Sequence, residues 1–152
     1  MKKLICVWGS AGYGKTSSII ELDKILNNQC TIIKVVTSVG TYSDDICRIY
    51  EIQYGNQKYT IGIESQGDPN SRQVASLQLF NQNNCNIIVC ASRTRGQTVT
   101  NVDNFCHKHN YDLFWISTLY SIPMYGKVGA QMHHRTGQIL FDILDDFMNH
   151  KY

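Results

Sequence analysis

Gly9-Ser-Ala-Gly-Tyr-Gly-Lys-Thr-Ser17 separates two different hydrophobic patterns, and the fold is decided by how that stretch is read. Before it, Leu4-Ile-Cys-Val-Trp8 is a short continuous apolar run ended by glycine, the pattern of a strand covered on both faces. After it, Ile19, Ile20, Leu22, Ile25 and Leu26 recur at helical spacing, which predicts a helix from Lys15 to about Asn27. Gly9 to Thr16 satisfies the pattern G-x-x-x-x-G-K-[ST] between that strand and that helix. Gly9, Gly12 and Gly14 let the backbone turn with positive φ, so that N–H groups from Gly9 through Ser10, Ala11, Tyr13 and Ser17 can point inward at phosphate oxygens. The helix beginning near Lys15 adds the positive end of its dipole. Lys15 has the reach for β- and γ-phosphates, and the Thr16 hydroxyl is a ligand suited to Mg2+.

Working outward, strand and helix patterns alternate. Thr31-Ile-Ile-Lys-Val-Val36 is a β-branched second strand. Arg48 to Tyr54 and Lys58 to Ile63 flank a tight Gly55-Asn56-Gln57 turn and predict a hairpin. A helix is expected over Ser71 to Asn81, a buried strand over Asn86 to Ala91, a helix over Gln97 to His109 and a strand over Tyr111 to Ile116. Ile139, Leu140, Ile143, Leu144, Phe147 and Met148 form an amphipathic stripe that predicts a closing helix. Tyr120 to Thr136, polar and glycine-bearing, reads as a long loop that contains His133 and His134. This alternation argues for a three-layer α/β domain over 1–152, with a mainly parallel sheet and an antiparallel hairpin at an edge.

Composition narrows the function classes. The chain has 152 residues, 43% of them hydrophobic, which is enough for one core-forming domain. A net charge of +2 gives no sign of a polyanion-binding surface. The apolar run at the start stops at Gly9, far short of the roughly 18 residues a membrane span needs, so a first strand in a cytoplasmic protein is expected rather than a signal peptide. On that basis the six cysteines are expected to be reduced. Cys106 and His109 share a helical face, where a zinc site competes with a half-buried cysteine beside solvated histidines.

The residues from Leu4 to about Ile20 resemble the P-loop NTPase superfamily, whose Walker A motif Gly9 to Thr16 matches. The resemblance implies a P-loop NTPase-like fold and the binding of a nucleoside triphosphate with Mg2+. It also implies an acidic group at the end of a neighbouring strand, to hold the metal or orient the attacking group. Glu64, at the end of Tyr59-Thr-Ile-Gly-Ile-Glu64, is the candidate, and Asp68 is the next. The superfamily's usual residue is aspartate, and a glutamate departs from that pattern.

Glu64-Ser-Gln-Gly67 is also similar to the Asp-x-x-Gly switch segment of small GTPases. Their guanine reader, Asn/Thr-Lys-x-Asp, is expected after Ile116, but Ser117-Thr-Leu-Tyr-Ser121 carries neither lysine nor aspartate, which leaves ATP or a loosely chosen base. Transferring phosphoryl groups gather negative charge, and Arg93 and Arg95 follow the strand ending at Ala91. Their run loosely resembles the acceptor-gripping arginine of nucleoside monophosphate kinases, and Arg72 is a further cation. The loop from Tyr120 to Thr136, with Lys127 and Arg135, is a candidate lid, but it lacks the paired-arginine pattern of adenylate kinases and an ordinary surface loop is the favoured reading.

Two functions follow. The first is a small phosphotransferase, with Lys15, Glu64, Asp68, Arg93 and Arg95 as catalytic residues, Thr16 and Glu64 on the metal, and a small-molecule acceptor. The second is a nucleotide-dependent switch or accessory NTPase, in which the Val39 to Asp45 loop and the loop after Glu64 change order and a partner protein reads the change.

Overall fold

A computed structural model describes residues 2–120 and 125–150. Among these residues the chain forms six strands and four helices in the order β1 (Lys3–Trp8), α1 (Lys15–Gln29), β2 (Thr31–Val39), β3 (Cys47–Tyr54), β4 (Gln57–Glu64), α2 (Gln73–Gln82), β5 (Ile87–Ser92), α3 (Gln97–His109), β6 (Asp112–Ser117) and α4 (Gly126–Met148). All six strands join one mixed sheet in the order β2-β3-β4-β5-β1-β6. β4, β5, β1 and β6 run parallel, and β3 lies antiparallel to both β4 and β2. The expected hairpin is β3–β4, with Gly55 in the left-handed region at φ +56°. β2 pairs on its outer side and makes the sheet edge.

The period of two along each strand divides the interior into two cores, one on each face. Ile5 and Val7 of β1 pack with Ile61 and Ile63 of β4 and with α1 and α4. Leu4 and Cys6 pack on the opposite face with Leu77 and Phe80 of α2 and Val102 and Phe105 of α3. Phe80 lies so close to the sheet that a Cβ on Gly62 would stand 2.6 Å from its ring. The six described cysteines are free thiols, and Cys6, Cys47, Cys85, Cys90 and Cys106 are buried.

The register fixes which loops meet. Trp8, the last residue of β1, pairs with Ser92 of β5 on one side and Ser117 of β6 on the other. The segments after β1, β5 and β6 therefore emerge side by side at the carboxyl edge of the parallel strands, where open α/β sheets bind ligands. β5 stands between β4 and β1, so the end of β4 is one strand removed from the Gly9–Ser17 loop.

One expectation is corrected. Tyr120 to Thr136 is not a long loop: α4 begins at Gly126 and runs unbroken to Met148, so His133, His134, Lys127 and Arg135 are helical, and residues 121–124 lie outside the described residues. Gly126 starts the helix at φ +62° with open space around it, and close packing is the role of Gly137, just beyond the expected loop. A Cβ on Gly137 would stand 2.7 Å from the Glu21 Cβ and 2.9 Å from the Leu22 nitrogen, so its absence lets α4 pass close against α1. Gly129 is buried in the same helix. The second strand also runs further than its β-branched core, to Val39, and the β2–β3 loop starts at Gly40. Among the described residues no helix is long and apolar enough to cross a membrane.

Candidate functional site

The Gly9–Ser17 loop turns from β1 into α1 over glycines in unusual backbone regions, Gly12 at φ +75° and Gly14 at φ +78°. Gly14 is the N-cap of α1, and the N–H groups of the helix's first turn have no intrahelical partners. The loop is tied to both neighbouring strands. The Gly9 N–H donates to the Ser92 carbonyl at 3.2 Å, and the Thr118 hydroxyl donates to the Tyr13 carbonyl at 2.7 Å. Beside the second bond, the Tyr13 and Tyr120 rings stack at 4.0 Å with 4° between their planes.

A hollow of 660 Å³ opens over this loop, bounded by Ala11 to Ser17 on one side and Ser65 to Arg72 on the other. Lys15 is buried at its base and donates to the carbonyls of Gly9 at 2.8 Å and Ser10 at 2.9 Å. Burial lowers its ammonium pKa from the usual lysine value, and the nearby Arg93 charge lowers it further.

Thr16 faces a carboxylate that sequence reasoning did not select. Its hydroxyl stands 3.1 Å from Asp45 Oδ1 and 3.4 Å from the Ser65 carbonyl. The Ser65 hydroxyl also donates to Asp45 Oδ1, at 2.9 Å, and accepts from the Ile46 N–H at 2.8 Å. Asp45 thus joins the β2–β3 loop to both walls of the hollow. The signal for it was present, since Asp44-Asp45 stands at the loop end just before the hairpin. Spacing gave the hairpin but not its place in the sheet, with β4 beside β5, which brings that loop to Thr16.

Glu64 ends β4 as expected, but its carboxylate points away from the hollow. It is 0% exposed and accepts from the Gln66 N–H at 2.8 Å, from Arg72 Nε at 2.8 Å, from Arg72 Nη2 at 3.2 Å and from the Ser76 hydroxyl. Strand parity explains the direction. Ile61 and Ile63 face α1, so Gly62 and Glu64 face α2, and Ser65 is the first residue after the strand to return toward Thr16. Gly67 follows, packed so tightly that a Cβ there would lie 2.5 Å from the Ala91 carbonyl carbon. No family model, curated protein or solved structure matches this chain.

The remaining candidates divide. Asp68 lines the hollow and holds Arg93 Nε at 2.7 Å. Arg72 lines it too, with its charge met by Glu64. Neither Arg93 nor the exposed Arg95 lines the hollow. His133 of α4 closes one side, and burial lowers its pKa below the ordinary histidine value. Cys106 is buried in the α2–α3 core, the His109 ring lies 4.8 Å from Phe105, and no group of three metal-binding side chains occurs among the described residues.

Proposed function

We propose that this chain is a P-loop protein that binds ATP, or another nucleoside triphosphate, with Mg2+, and transfers the γ-phosphoryl group to a small acceptor. The observation that carries this is the convergence of a desolvated Lys15, the first turn of α1 and the Thr16–Asp45 pair on one 660 Å³ hollow at the carboxyl edge of parallel strands. The donors around Thr16 are all oxygens, from a hydroxyl, a carboxylate and the Ser65 carbonyl, and such a set suits a hard cation. Mg2+ bound there would neutralise charge on the β- and γ-phosphates.

On this reading Lys15 exchanges the Gly9 and Ser10 carbonyls for phosphate oxygens. Arg93, bonded to Asp68 of the hollow's wall but not itself lining it, would have to turn inward to supply a second cation for the charge that grows as the bond from the γ-phosphorus to its bridging oxygen breaks and the acceptor oxygen bonds to phosphorus. Asp45 takes the metal-facing place that the sequence suggested for Glu64. Glu64 is then a positioning residue: it fixes Arg72 and the 65–72 wall.

A second reading, a nucleotide-dependent switch, is favoured by one feature. Asp45 ties the β2–β3 loop to the Thr16 hydroxyl, so a ligand that claims Thr16 removes one of the loop's anchors. Phosphate release and phosphoryl transfer, measured with and without a panel of acceptors, separate the two. Lys15-dependent turnover that needs an acceptor supports transfer, and slow acceptor-independent hydrolysis supports the switch. Turnover unchanged in Lys15→Ala contradicts both.

A further inference from the structure

The segment after β6, where a base reader was sought, turns toward the glycine loop: Thr118 holds the Tyr13 backbone, and Tyr120 stacks on the Tyr13 ring. Each of those rings already covers a face of the other. A second cavity, of 620 Å³, opens next to the hollow and shares Ser17 and His133 with it. It lies between α1 and the first half of α4, with Tyr42 of the β2–β3 loop at its side. Its volume falls within the range of small-molecule sites.

We infer that this second cavity receives the nucleoside of the bound triphosphate and prefers a purine. The inference rests on the triphosphate cradle proposed above. The direction of the phosphate tail follows from Lys15. The lysine of such a loop serves the β- and γ-phosphates, and Asp68, which lines the hollow and holds Arg93, marks the γ end. The opposite end leaves over the first turn of α1, past Ser17, into the shared wall.

The lining suits a heteroaromatic base with donors and acceptors along its edge. The Tyr42 ring is fixed by its hydroxyl, which donates to the buried Asp23 carboxylate at 2.8 Å. The Lys24 ammonium stands 5.4 Å from that ring's centroid. Glu21 bonds Lys24 at 2.6 Å through Oε1 and His134 Nδ1 at 3.1 Å through Oε2, and each carboxylate oxygen retains a lone pair for an amine on a base. Arg135 on the opposite wall offers donors to ring nitrogens or a carbonyl. Adenine presents both kinds of group on one edge, the N6 amine and the N7 acceptor, where the same edge of cytosine offers only its N4 amine. Tyr42 and Asp45 belong to the same loop, so nucleoside and metal would be sensed together.

The test is calorimetric titration with ATP, CTP and inorganic tripolyphosphate, each with Mg2+, on the parent protein and on Tyr42→Ala, Ala130→Trp and Tyr120→Ala. Ala130→Trp fills the cavity from α4 and leaves the Tyr42–Asp23 bond intact, so the two cavity variants do not share a folding risk. ATP is expected to bind more tightly than CTP. Both cavity variants should weaken ATP roughly tenfold or more and leave tripolyphosphate unchanged. Unchanged ATP affinity in Ala130→Trp, or an ATP-selective loss confined to Tyr120→Ala, overturns the assignment while the cradle stands. Failure of the parent protein to bind either ATP or tripolyphosphate removes the cradle, and the nucleoside pocket with it.

Discussion

Glu64 and Asp45 are both carboxylates near the end of the same sheet, yet their surroundings differ in every respect that matters to chemistry. Glu64 is sealed and saturated, with four donors from Gln66, Arg72 and Ser76 filling its two oxygens. Asp45 is half-buried, accepts from the Ser65 and Thr16 hydroxyls, and lines an open hollow. The difference shows that ending a strand at the right edge does not aim a side chain at the site. The face of the pleat decides, and at β4 the glutamate falls on the α2 face.

The contrast gives graded expectations. Glu64→Ala should have the largest effect on folding, about 2–3 kcal/mol in chemical denaturation, because it strands the Arg72 guanidinium, which is partly screened by solvent. An unchanged denaturation midpoint together with loss of Mg2+ dependence would break the comparison. Asp45→Asn keeps the acceptor for Thr16 and Ser65 and removes only the charge. It should leave stability within about 1 kcal/mol of the parent and weaken Mg2+-dependent ATP binding about tenfold. A loss of stability as large as that of Glu64→Ala would erase the distinction.

The smallest effect concerns His133, which lines the same hollow. Its folded-state pKa lies below the ordinary value of 6.5 because burial disfavours the charged ring. The unfolded chain therefore takes up a proton first, so stability is full above pH 6.5 and declines as pH falls from there toward the folded pKa. His133→Gln should flatten that decline, by under about 1 kcal/mol, in melting temperatures followed from pH 7 to pH 5.

Much of the fold was legible because local pattern and global position agree. The apolar run Leu4–Trp8, the glycine turn and the helical stripe to Leu26 follow one another as β1, loop and α1, and the tight turn at Gly55 joins the two strands of the hairpin. The first half of α4 was not legible. Gly126 and Gly129 carry the ordinary signature of a loop, and only the nearness of α1 at Glu21 and Leu22 shows why the helix continues through Gly137. Strand order was hidden for a similar reason. The placing of β5 between β4 and β1 is a long-range fact, and it moves the end of β4 one strand away from the glycine loop. At the site, the backbone of Gly9 to Ser17 and the placing of Thr16 could be read locally. The approach of Asp45 could not, since it depends on where the β3–β4 hairpin sits in the sheet.

The most direct test of the account is titration of the protein with ATP in the presence and absence of Mg2+, beside Lys15→Ala. The account predicts saturable binding that Mg2+ strengthens and that Lys15→Ala reduces by about two orders of magnitude, while the variant's melting curve stays close to the parent's. No binding at millimolar ATP with Mg2+, or equal binding by the parent and Lys15→Ala, would contradict it.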